Sequence, residues 1–303
     1  MEPTPVNTAA AYRRHLRRKR LALLALAALL ALSFLASACA GSSGLTPLEV
    51  LAALFGGGSG ESRTIVWSVR LPRVAVGMGV GFALAMTGCV MQSVLRNPLA
   101  SASTLGVTQG ASFGAAAAIV FLGAGVQTAS ASGGAVSVTN PWLVTLFAFL
   151  GGVATTAVIL LLSRTGGASP STLILAGVAV SSLFTGGTAL VQYFADDVTV
   201  ASVVYWTFGS LGRAGWDQIG LIFALCLLSF VYFFWNRWNY NALESGSAAA
   251  KSLGVHVDAL TLVSLTVCAL VASVSVAFVG CINFIGLLAP HMVRRFVGSD
   301  YRF

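Results

Sequence analysis

The chain has 303 residues, of which 57% are hydrophobic and 9% charged. Ordinary soluble domains carry about 25% charged residues, so a soluble globule with a polar skin is excluded. A polytopic, all-α membrane protein is expected instead. The net charge of +8 is unevenly placed: six of the 17 Lys and Arg residues lie in Arg13–Arg20 (RRHLRRKR), just before the first apolar run. Basic residues beside a span are held on the cytoplasmic side, so this cluster reads as a topology determinant and not as a nucleic-acid contact. Residues 1–20 are expected to be a cytoplasmic basic N-terminus and 21–303 a transmembrane domain.

The first apolar run is Leu21–Ala40, read as a retained span although its end, Leu35–Cys39, also suits a secretory or lipoprotein signal. Gly41–Val69 follows as a polar outside loop with a short helix at Pro47–Phe55. Val74–Leu95 is a charge-free run of 22 residues, long enough to cross a hydrocarbon core that takes about 20 helical residues. The third span is Leu105–Leu122, where Gly106, Gly110 and Gly114 recur every four residues as a smooth face for a neighbouring helix. Gly123–Asn140 is a polar outside loop, Pro141–Ser163 the fourth span and Thr172–Ala195 the fifth. Val198–Gly215 is expected to hold a short helix at the outer interface, before a sixth span at Gln218–Trp235. Asn236–Asp258 is the longest inside segment, with two short helices joined near Gly246. Ala259–Val279 is the seventh span, and a marginal eighth surrounds Asn283–Val293. This register places 13 of the 17 Lys and Arg residues inside, leaving Arg63, Arg70, Arg73 and Arg213 outside.

The chemistry of the spans is sparse. Asn97–Ser163 and Thr165–Ala195 contain no charged residue, whereas ion-coupled carriers need ionisable ligands at depth. His15 and His256 fall in aqueous segments, and His291 lies near a span end. The five cysteines show no paired metal spacing and read as packing residues. No metal or cofactor is expected, and no catalytic constellation. There is no GxxxxGK[ST] loop, so ATP is not bound here. The energy for transport is expected from a separate motor. An ion-coupled secondary transporter and a non-transporting structural subunit are the rival classes.

Six blocks in one order carry a family resemblance: Arg70-Leu71-Pro72-Arg73; Arg96-Asn97-Pro98-Leu99-Ala100 with Leu105-Gly106-Val107; Leu173–Val178; Tyr205-Trp206 with Gly209-Ser210-Leu211; Ala249 with Ser252-Leu253-Gly254; and Phe284-Ile285-Gly286-Leu287 with Ala289-Pro290-His291. From Val66 onward the chain resembles the FecCD-type permeases of ABC importers for iron chelates and cobalamin. The resemblance implies a ten-helix permease fold of which about eight helices are present. It also implies that the last two are missing, or that the chain is a shortened relative. It implies a plasma-membrane permease for ferric siderophores, with haem or cobalamin as alternatives. The implied partners are ABC ATPase subunits, an extracytoplasmic substrate-binding (lipo)protein and a second permease subunit, identical or different.

The same resemblance suggests roles. Arg70 and Arg73 would dock carboxylates of the binding protein, a task suited to the guanidinium fork; interfacial anchoring is the plainer reading. In the coupling loop 236–258, Glu244, Gly246, Ser247, Ala250, Lys251, Leu253 and Gly254 would meet the ATPase or shape its seat. Asn97, Pro98 and Leu99, with Pro170 and Ser171, would line an inner gate; both pieces are also simply good turns. Ser181, Ser182, Thr185 and Thr188 would face the pathway, although such residues also serve helix packing.

Overall fold

The computed structural model describes residues 8–41, 43–124, 140–165 and 170–298, and among them all regular structure is helical. The chain divides into two compact units. One contains the residues up to Val74 together with those from His291 onward, and the other runs from Ala75 to Pro290.

In the first unit, α1 (Thr8–Cys39) is a long apolar helix with little of its surface covered. α2 (Pro47–Leu54) begins with a capping box: Thr46 Oγ1 accepts from the Glu49 amide, and Glu49 accepts from the Thr46 amide at 2.8 Å. The bonds from Thr46, the backbone one first, hold the Glu49 carboxyl below its ordinary range. Ala38, Val50, Ala53, Val66 and Leu71 form a small core.

The Gly41–Val69 segment is more helical than its polarity suggests. α3 (Gly60–Ile65) runs through a π-helical turn at Val66–Arg70 into α4 (Leu71–Val94), so the helix begins well before Val74. The physical reason is Pro72. A proline inside an α-helix has no N–H for the carbonyl four residues back, here Ser68, and its ring collides with that carbonyl. Widening the turn relieves the collision, and the Leu71 amide bonds the Val66 carbonyl instead.

The second unit contains α5 (Val107–Phe121), α6 (Pro141–Thr165), α7 (Pro170–Tyr193), α8 (Asp197–Thr207), α9 (Trp216–Trp235), α10 (Arg237–Glu244), α11 (Ser247–Ser252), α12 (Val257–Val279) and the start of α13 (Ile285–Val297). α5 and α6 approach so closely that a Cβ at Gly110 would strike the Gly151 carbonyl, and one at Gly114 the Phe147 carbonyl. The expected glycine face is therefore used, against α6. Among the described residues six helices are long and apolar enough to cross a membrane, and α5 is a shorter apolar one. The marginal eighth span is α13, of thirteen residues, with Pro290 inside it.

Pro290 repeats the problem of Pro72 with a different solution. The carbonyl it cannot serve is that of Gly286, and Gly88 of α4 packs directly onto that oxygen; any Cβ at residue 88 would overlap it. One turn further along α4, Gln92 Nε2 donates to the Leu287 carbonyl at 3.3 Å. A close Cα–H approach gives the freed oxygen a weak partner where an amide is lacking.

Candidate functional site

The segment 236–258 folds as the two short helices expected, α10 and α11, with the joint at Gly246. Gly246 has φ +106 and Gly254 φ +83, and a Cβ at either would meet nothing, so their backbone conformation alone asks for glycine. One face of the segment is seated. Tyr240 and Leu243 are each 1% exposed, and the Tyr240 hydroxyl lies 2.8 Å from Ser264 Oγ on α12. Burial pushes the Tyr240 phenol above its ordinary range, with the Ser264 bond opposing, so it stays protonated, and either hydroxyl can be the donor.

The other face is open. Glu244, Lys251 and Gly254 are exposed, Leu253 protrudes, and Ser247 is half-buried. Ala250, expected as a contact, is fully buried and packs inward instead. Lys251 pairs with Asp258 at 3.2 Å, both well exposed, so the bridge adds little stability. Around it Lys251, Gly254, Val255, His256, Val257, Asp258 and Ala259 line a concavity of about 480 Å³.

The turn after α4 is built by its own polar groups. Arg96 adopts a left-handed conformation, φ +46, and the Asn97 amide reaches back to the Gln92 carbonyl at 3.1 Å, closing the helix. Asn97 Oδ1 then accepts from the Leu99 amide at 2.8 Å, and Ser101 and Thr104 cap each other's amides. Pro98 and Leu99 are left exposed. Pro170 and Ser171 stand in the first turn of α7 and not in a loop before it; proline is at home there because its missing N–H has no partner to lose.

α7 packs against the end of this turn. A Cβ at Gly177 would lie 2.9 Å from the Thr104 carbonyl, and one at Gly106 2.7 Å from Ser181 Oγ. The four expected pathway residues divide: Ser182 and Thr185 are exposed, whereas Ser181 and Thr188 are half-buried. Each donates its hydroxyl proton to the carbonyl four residues back, at 2.7 Å for Ser181, 3.0 Å for Ser182, 2.8 Å for Thr185 and 2.9 Å for Thr188. A hydroxyl spent this way offers a neighbour only lone pairs, so the exposed face is weakly polar and accepts without donating.

The two expected docking arginines have different fates. Arg70 is 6% exposed. Its Nη1 donates to the carbonyls of Ala38 and Cys39 at 3.0 and 2.8 Å, and its Nη2 to Ser43 Oγ at 2.5 Å. The guanidinium therefore caps the C-terminus of α1 and is not presented outward. Arg73, one turn later, is exposed.

The sequence profile of the FecCD transport family matches residues 29–303. The chain belongs to the FecCD transport family. Its relatives include a chain of Methanocaldococcus jannaschii named as an ABC transporter permease, 49% identical over 88% of this chain and 75% of that one. The hemin transport system permease HmuU of Yersinia pestis is 33% identical over 78% of this chain and 68% of its own. The vitamin B12 import system permease BtuC of Klebsiella pneumoniae is 32% identical over 88% and 74%. Among solved structures, one described as an inward-facing metal-chelate type ABC transporter superposes with a TM-score of 0.78 at 27% identity, covering 93% of this chain and 83% of that one. This FecCD chain is thus a membrane-embedded ABC permease, a class of subunits that are not themselves enzymes.

Sequence reasoning missed the parts of this FecCD chain that hold the site in place. The pairing of Tyr240 with Ser264 spans 24 residues and has no local signature. The buried face of α10 could have been found, because Tyr240 and Leu243 are three apart and share one helical face.

Proposed function

We propose that this chain is the permease subunit of an ATP-driven importer of ferric siderophores, with haem or cobalamin as the alternative cargo. The observation that carries the reading is the coupling segment, whose short helices α10 and α11 are anchored by Tyr240 and Leu243 on one side while Glu244, Lys251 and Leu253 are presented on the other. A surface held rigidly on its inner face and offered on its outer face suits the transmission of force from a partner. In this reading separate ATPase subunits seat there and hydrolyse ATP, with the exposed Leu253 side chain as the apolar anchor beside the concavity. The N-terminus and the coupling segment lie on the cytoplasmic side, as the distribution of Lys and Arg favours.

A binding protein delivers cargo at the other face, where Arg73 supplies a free guanidinium. The concavity of about 680 Å³ lined by Leu54, Gly56, Gly60, Arg63, Thr64, Trp67 and Ser68 offers it further surface. A second permease subunit completes the path, along which Ser182 and Thr185 face the cargo and the Asn97–Leu99 turn and the start of α7 form the inner gate. Weakly polar walls favour release over retention, so selectivity resides mainly in the delivery protein.

Reconstitution of the permease with partner ABC ATPase subunits and a substrate-binding protein tests the reading. Uptake of radiolabelled iron chelate that requires ATP and the binding protein is expected. Uptake that follows a proton or sodium gradient and ignores ATP would refute it.

A further inference from the structure

α12 ends at Gly280, φ +84, and the chain stays non-helical until α13 begins at Ile285. Phe284 lies within this break at φ +69, a conformation that bulky side chains rarely accept. It is 65% exposed, and Asn283 beside it is exposed too. Non-helical backbone next to membrane spans persists where it is packed in protein or lines a wet path; this break is packed along its first half and exposed along its second.

Its first half is packed against the end of α8. The Ser210 amide donates to the Val279 carbonyl at 2.6 Å. Gly209, φ +70, is so close that a Cβ there would lie 3.0 Å from the Cys281 carbonyl. Arg213 locks the end of α8 itself: Nη1 donates to the Trp206 carbonyl at 3.1 Å and Nη2 to the Tyr205 carbonyl at 2.7 Å. Its charge stands at the negative end of α8 and over the Tyr205 ring, 5.2 Å from the centroid. A Cβ at Gly280 would fall 2.6 Å from the Trp206 carbonyl and 3.0 Å from Arg213 Nη1. The Trp206 carbonyl is therefore held between the guanidinium and the break, while Cys281 Sγ meets Ser112 Oγ of α5 at 3.0 Å.

We propose that Arg213 is a positioning residue for transport: it fixes the end of α8 on which the 280–284 break packs, so that the exposed Asn283–Phe284 peptide keeps one conformation beside the path of the cargo. The proposal rests on the importer reading above. Arginine suits the task because two carbonyls on consecutive residues need a fork, and an ammonium reaches only one of them well.

The test uses the full permease–ATPase complex with its binding protein. In Arg213→Ala the maximal uptake rate is expected to fall at least tenfold. The KM for loaded binding protein and the binding-protein-stimulated ATP hydrolysis should stay within twofold, and Arg213→Lys should recover part of the uptake. A separate measurement reads the break itself. With Ser112→Cys and native Cys281 as the only two cysteines, mild oxidation should cross-link them, and Arg213→Ala should slow that reaction at least fivefold. Uptake and cross-linking both unchanged in Arg213→Ala would overturn the proposal. If Arg213→Ala fails to assemble, the cross-linking rate in Arg213→Lys and Arg213→Gln decides in the same way. A parent complex without ATP-dependent uptake would sink the importer reading instead, and the cross-linking would still judge the role of Arg213.

Discussion

The seat of the coupling segment can be tested at a single oxygen. Tyr240→Phe removes the hydroxyl that meets Ser264 Oγ at 2.8 Å, in a place where Tyr240 is 1% and Ser264 0% exposed. The phenyl ring stays, so no large cavity opens. The cost is that of leaving the Ser264 hydroxyl buried without this partner, about 1–3 kcal/mol. Because α10 reaches α12 through this pair, the loss should appear as easier local opening of residues 237–252. At about 1.4 kcal/mol per factor of ten, amide exchange there should accelerate roughly 5- to 140-fold, with the middle of α12 unaffected. Hydrogen–deuterium exchange read by mass spectrometry on the purified permease measures it. Ser264→Ala should do much the same, and the double variant should cost little more than either single one, since neither partner is then stranded. Unchanged exchange across 237–252 in Tyr240→Phe, or strictly additive effects in the double variant, would refute the reasoning.

Other sites give sharper or coarser outcomes. Gly88→Ala must push α4 and α13 apart by on the order of 1 Å at the Gly286 carbonyl, a backbone contact that cannot rotate away; a loss of about 1–3 kcal/mol is expected, read as a lower midpoint in denaturant unfolding. Arg70→Ala frees the last carbonyls of α1, so exchange at 36–41 should rise, while Arg73→Glu should leave that exchange alone and abolish stimulation by the binding protein. Leu253→Asp, on the exposed coupling face, should weaken ATPase association at least tenfold without changing the unfolding midpoint of the isolated permease. Asp196 caps α8, and its carboxyl is held below the ordinary range by the Thr199 hydroxyl first and the Thr199 amide second. A depressed carboxyl stabilises the folded form above its unfolded value and loses that contribution as pH falls through the folded one. The protection of amides in the first turn of α8, taken relative to their intrinsic exchange at each pH, should therefore fall on acidification below about pH 4 in the parent and stay constant in Asp196→Ala.

Much of this was legible from the chain because each span is a local composition problem. The run Val74–Leu95 and the paired helices around Gly246 need only length, hydropathy and a breaker. What was not legible depends on where freed or shared backbone atoms go. Nothing near Arg70 in sequence shows that its fork is spent on Ala38 and Cys39, 32 and 31 residues away. Ala250 was mistaken for a contact because a small residue in a short helix gives no hint of which face is seated. Gly88 looks like any small residue in a membrane helix until Pro290, far later in the chain, is seen to leave it an oxygen to cover.

The π-helical turn at Val66–Arg70 has a consequence for how this stretch can change over time. A wide turn takes about one residue more than an α-turn to complete the same rotation, so side chains upstream of it share faces with those downstream in a register shifted by one residue. Deleting one residue there would regularise the winding and leave the upstream helix in nearly the same angular position. Pro72 would then face the carbonyl that the wide turn avoids. Single-residue deletions should therefore be tolerated at Gly56–Gly58 and rejected between Val66 and Pro72, where the extra residue is what accommodates the proline ring.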